Sequence, residues 1–256
     1  MIMMIKQERG FSLVELLTAM TVTAFLLGAI YMAVNTTQRD STSIERKVVV
    51  QADAKSALDV MALEISMASY MANFIANAWV NPANCTAIAA NQNLRGIQTA
   101  TGSTIVVQMD ADDSCKAISP PANCIGDGPN EIISYTYVTT AGPEGERYIT
   151  RAVSCAPPQA FLGDLITSGN PRNVRVNNVD LNIPLFRYFD GSNNELIPAP
   201  APLTGTARRL DNTTIPDIRR ILITLALQTA EIDPFRGERR QLFYSTSVIP
   251  RNHAIQ

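Results

Sequence analysis

The feature that most constrains this chain is an uncharged run of nineteen residues, Leu16 to Val34, close to its N-terminus. At 1.5 Å of rise per residue the run makes roughly 28 Å of helix, about the hydrocarbon thickness of a bilayer. It is long enough to span. Immediately before it stands Glu15, inside the stretch RGFSLVELLTAM from Arg9 to Met20. A charge near the centre of a membrane helix costs about 2.5–3.5 kcal/mol on insertion scales, so a carboxylate so placed calls for a partner and a task.

The flanks set the direction of insertion. Lys6 and Arg9, in MIMMIKQERG, hold the N-terminus in the cytoplasm and send the remainder outward. A cleaved secretory signal would end a shorter apolar run at a small-x-small site, yet Tyr31 and Met32 stand where small residues are wanted. No cysteine precedes Cys85, which removes a lipoprotein anchor. Two readings remain: a simple anchor whose Glu15 snorkels to the interface, and a segment processed in some other way.

With 256 residues, 46% of them hydrophobic, the chain can bury one sizeable core or two small ones. Its formal net charge of -2 offers no basic field, so nucleic acid is not an expected partner. Hydrolase and nucleotide-site signatures such as GxSxG, HExxH, SxxK and a Gly-rich GK[ST] loop are missing from the sequence. A single histidine, His253, argues against a Ser or Cys triad and reads as a solvated tail residue. Paired carboxylates brought together from distant strands stay open. No catalytic residue and no cofactor are expected, and the chain is read as something other than an enzyme.

Beyond the span, Asn35 to Ser43 (NTTQRDSTS) is poor in strong helix formers and is expected to be a weak point in one long helix. Ala54, Leu58, Met61, Ile65, Ala68, Ala72 and Ile75 then recur at alternating steps of four and three, the mark of one apolar helical face. That stripe reads as core packed on a sheet, fading at Trp79-Val80-Asn81-Pro82, where proline stops a helix. Strands are expected over Thr104–Met109, Glu131–Thr139, Arg147–Val153, Val174–Leu181, Leu185–Phe189, Ile218–Thr229 and Gln241–Val248, with a helix as the alternative at Ile218–Ile221. The turn AGPEG, Ala141 to Gly145, joins two of them as an antiparallel hairpin.

Gly10-Phe11-Ser12-Leu13-Val14-Glu15, followed by the apolar run, resembles the prepilin cleavage and methylation motif of type IV pilins and type II secretion pseudopilins. The resemblance implies that a prepilin peptidase cuts between Gly10 and Phe11, and that the new amine of Phe11 is methylated. It also implies a partner for Glu15: the N-terminal ammonium of a neighbouring subunit. At about 4 Å and an effective dielectric near 20, that pair gains on the order of 4 kcal/mol before desolvation costs. The strand runs further resemble PilW-type minor pilins and J-type pseudopilins, through Tyr135-Thr136-Tyr137 and the ending Pro250-Arg251-Asn252.

The implied architecture is α+β and pilin-like: a long N-terminal helix, half transmembrane and half amphipathic, on an antiparallel β-sheet head. Residues 1–10 are then the leader, 11–34 the transmembrane and filament-core helix, 35–80 its amphipathic continuation, and 81–256 the exported head. The implied partners are prepilin peptidase, other pilins or pseudopilins reached through the N-terminal helix, and the inner membrane, with the head in the periplasm. The implied task is pilus assembly, as a minor pilin, or type II secretion, as a J-type pseudopilin. A membrane-anchored exported enzyme or carbohydrate-binding module is the alternative of another class.

Cys85, Cys115, Cys124 and Cys155 all fall on the exported side, where disulfides form. Three pairings exist. Cys115 with Cys124 would close a small loop worth roughly 3 kcal/mol in the chain-entropy model, leaving Cys85 for Cys155. Zinc is the rival, but the sequence has no CxxC pair. Two acidic stretches, Asp110, Asp112 and Asp113, and Asp190, Asn193, Asn194 and Glu195, carry calcium-type oxygens without the full EF-hand spacing. Solvated or capping roles are the ordinary reading of both, and no metal site is expected.

Overall fold

The computed structural model describes residues 12–71, 78–81, 86–89, 92–112, 125, 128–139, 147–164, 174–196, 210–229, 232–233 and 237–254. The chain divides into two compact units, Met1–Glu45 and Arg46–Gln256. One helix, α1 (Leu13–Ser66, 54 residues), begins in the first and ends in the second.

Among the described residues eleven strands follow: β1 (Val80–Asn81), β2 (Thr86–Ala89), β3 (Ile97–Ala100), β4 (Thr104–Gln108), β5 (Ile132–Thr139), β6 (Arg147–Val153), β7 (Gln159–Asp164), β8 (Val174–Val176), β9 (Phe186–Phe189), β10 (Arg220–Thr229) and β11 (Gln241–Val248). They form a two-stranded ribbon β1-β2, a five-stranded meander β3-β4-β5-β6-β7, and a four-stranded sheet in which β10 pairs with β8, β9 and β11. Every pairing is antiparallel. The α+β layout with a long N-terminal helix and an antiparallel head is therefore present.

Within the second unit, Val50, Ala54, Ala57, Leu58, Met61, Ile65 and Ala68 are buried and share one cluster with residues of both larger sheets, among them Ile105, Ile133, Tyr135, Ile149, Tyr188, Ile223 and Leu225. The strands alternate as half-buried sheets do: Ile133, Tyr135 and Tyr137 of β5 are buried while Ser134, Thr136 and Val138 are not. Trp79, Val80, Val106, Ile125 and Ile132 build a second, smaller cluster.

Several expectations are corrected. The amphipathic helix ends at Ser66, short of residue 80. Ser69 takes φ +65°, its N–H goes to the Gln108 carbonyl at 2.9 Å, and its hydroxyl receives the Gly96 N–H at 3.1 Å. These tertiary bonds outcompete the i−4 ladder, although the apolar spacing runs on. Residues 72–77 lie outside the described residues. Gly96 makes the close approach feasible, because a Cβ there would sit 2.1 Å from the Ser69 nitrogen.

α1 runs on as one long helix through Asn35–Ser43. The hydroxyls of Thr36, Thr37 and Thr42 bond back to the carbonyls of Met32, Ala33 and Gln38 at 2.8–2.9 Å, so they do not compete for the helix's own N–H groups. The alternative helix at Ile218–Ile221 gives way to strand from Arg220 onward, entered through a short 3-10 turn, Ile215–Asp217. β8 stops at Val176, because Asn178 turns its amide onto the main chain of Ile183, Thr224 and Ala226.

Candidate functional site

The segment that carries the processing motif is the start of α1. Gly10 and Phe11 lie outside the described residues. From Ser12 the path is clear: the Ser12 carbonyl accepts the Leu16 N–H at 3.1 Å, which opens the helix, and Glu15 sits in the first turn. A carboxylate there complements the positive end of the helix dipole.

Every residue from Ser12 to Val34 is exposed, including Leu13 (76%), Phe25 (81%) and Tyr31 (71%). An 18-residue stretch of α1 has mean hydropathy 2.0 with none of it buried inside the protein. An exposed apolar face of this extent marks an interaction surface. Its threonine hydroxyls are already satisfied: Thr18 donates to the Glu15 carbonyl at 2.9 Å, Thr21 to that of Thr18 at 2.8 Å, and Thr23 to that of Ala19 at 2.7 Å. Thr21, Ala24, Phe25, Gly28, Ala29 and Met32 line one shallow apolar groove along the helix. Ala24 and Gly28, four apart, let another helix come close.

Residues 5–31 match the family model described as the prokaryotic N-terminal methylation motif. This is a prepilin-type N-terminus. It supports a place in the type IV pilin and pseudopilin family, and it implies trimming by a prepilin peptidase and assembly with other pilins. A prepilin-type N-terminus with one apolar helix behind it is consistent with membrane anchoring. No curated protein and no solved structure matches the chain.

The remaining sequence candidates fall as follows. Cys155 is disulfide-bonded, and its partner, with Cys85, Cys115 and Cys124, lies outside the described residues. Asp110 and Asp112 come together with Glu131, which sequence spacing did not reveal; their ligand oxygens lie within 4.8 Å of one another. Asp113 lies outside the described residues. Three carboxylates are the ligand type that hard cations take, but Glu131 already accepts the N–H groups of Ala111 at 3.2 Å and Gly128 at 3.0 Å.

The second acidic stretch is spent on its own turn. Asp190 accepts the N–H groups of Ser192 and Asn194 and the Asn194 amide, which together hold its carboxyl below the usual range. Asn193 bonds to Arg220, and Glu195 pairs with Arg187 at 2.5 Å. A cation would have to displace all of these.

His253 is the clearest correction. It is 3% exposed rather than solvated. Its Nε2–H donates to the Ile215 carbonyl at 2.9 Å, and its Nδ1 accepts the Ser69 hydroxyl at 2.9 Å. Burial pushes its pKa down to about 4. The ring thus ties the C-terminal 3-10 turn (Arg251–Ala254) to the segment just past α1.

A second polar anchor, also unforeseen, holds α1 on the meander. Glu64 receives Arg151 through Nη2 at 2.5 Å and Nε at 3.1 Å, and accepts the hydroxyl of Tyr135. Arg151 reaches Asn130 as well, at 2.7 Å. Burial and the Glu64 carboxylate raise the Tyr135 pKa far above its ordinary value. In the sequence Glu64 is a charge between the stripe positions Met61 and Ile65, with nothing local to mark its partners.

Proposed function

We propose that this chain is a minor pilin, PilW-like in kind, trimmed after Gly10, methylated at Phe11 and built into or onto the tip of a type IV pilus or pilus-like filament. Its work is assembly, with no reaction of its own. Before assembly the N-terminus faces the cytoplasm, α1 crosses the inner membrane, and the β-rich head is exported to the periplasm. In the filament Glu15 meets the terminal ammonium of a neighbouring subunit and sets axial register, while Leu16 to Val34 supply core.

The observation that carries this reading is the methylation motif at residues 5–31 together with an apolar stretch of helix, Ser12 to Val34, in which every residue is exposed. The length of 256 residues suits a low-copy subunit better than a repeating one, which must pack side by side many times. Mass spectrometry of the mature N-terminus, with and without prepilin peptidase, tests it. A methylated Phe11 is expected; an intact Met1, or cleavage after the apolar run, overturns the proposal.

A further inference from the structure

β11 is an edge strand of unusual regularity. Among the described residues it pairs with β10 alone, over eight residues from Gln241 to Val248 and without a bulge. The Thr229 N–H donates to the Arg240 carbonyl at 3.1 Å, one step beyond the Gln228–Gln241 pair. Bonded pairs in an antiparallel ladder recur at every second residue. Leu242, Tyr244, Thr246 and Val248 therefore direct their main-chain groups at β10, whereas Gln241, Phe243, Ser245 and Ser247 direct theirs to the open edge. The same four carry exposed side chains, with Phe243 at 56%.

Natural edges are blunted by lysine, proline, bulges or inward charges. The segment QLFYSTSV holds none of these devices. A row of main-chain donors and acceptors at two-residue intervals is satisfied by an extended backbone and by little else. The strand's own sequence fits that role. Antiparallel pairing centred on Phe243 sets Phe243 against its copy and Gln241 against Ser245 on the outer face, and Leu242 against Tyr244 on the inner. The half-buried Leu242 and Tyr244, which pack against the core, then gain an apolar neighbour each. No charge opposes its like within the strand, and each outward-directed pair exchanges main-chain bonds across the two-fold.

We propose that β11 is a self-docking edge through which two copies of this chain join antiparallel about Phe243, continuing one sheet across both molecules. The test places p-benzoylphenylalanine at position 243 of the full chain in its membrane and irradiates it. A doubled-mass adduct linking 243 to the β11 of an identical chain is expected. Ser245→Pro removes an edge-directed N–H that β10 does not use, and Ser247→Lys puts a charge on the edge; each should abolish the adduct while leaving the thermal midpoint close to that of the parent. Absence of the adduct, attachment to a different polypeptide, or an adduct that survives both variants overturns the proposal. Ser245→Pro and Ser247→Lys leave the apolar helix unchanged, so an adduct due to contact through that helix would survive both variants.

Discussion

At the scale of single residues, the side chains with the most at stake are those that are buried and titratable. His253 has a folded pKa near 4 against an ordinary value of 6.5, so its neutral form belongs to the folded state. The contribution is complete above pH 6.5 and is lost as the pH falls toward 4, because the unfolded chain takes up the proton first; the span amounts to about 3 kcal/mol. Urea midpoints at pH 7 and pH 4, compared between the parent and His253→Gln, should show a smaller pH-dependence in the variant. Glu64→Ala leaves Arg151 and the Tyr135 hydroxyl without their shared acceptor and should cost about 2–4 kcal/mol, read from denaturant unfolding. Glu15→Ala should leave export intact and reduce the amount of chain recovered in sheared filaments; recovery at the parental level would refute the intersubunit pair.

At the scale of elements, apolar spacing and β-branched runs were reliable guides where side chains alternate cleanly. β11 falls on Gln241–Val248, the range its residues suggest, and β5, β6 and β10 begin within two residues of expectation. The short strands β3 and β7 carry little signal for a physical reason: they owe their form to hairpin pairing with their neighbours β4 and β6, and their sequences IQTA and QAFLGD have little β preference of their own. The end of α1 escaped for the converse reason, since a main-chain bond to Gln108 and a glycine contact decide it and neither leaves a local signature. Gly96→Ala should therefore unfold the head far more readily than a surface substitution, by more than about 3 kcal/mol in chemical denaturation. Hydrogen exchange gives the finer reading of β11: amides of Leu242, Tyr244 and Thr246 should be slow at every concentration. Those of Phe243 and Ser245 should slow as concentration rises.

At the scale of the whole molecule, the stretch that matches the N-terminal methylation motif was fully legible because six residues and a hydropathy run define it. The head was legible as α+β and little further: the ties through Glu64 and His253 join residues 87 and 184 positions apart, a separation at which no spacing rule operates. The back-bonded threonines of α1 have one more consequence. Across the span Thr18, Thr21 and Thr23 ask no hydrogen bond of their surroundings, so hydrocarbon tails and the flank of another helix are interchangeable solvents for that stretch. Exchange of one for the other is then nearly neutral over Leu16 to Val34, and the acidic group just before that stretch, Glu15, is left to decide which way the exchange runs.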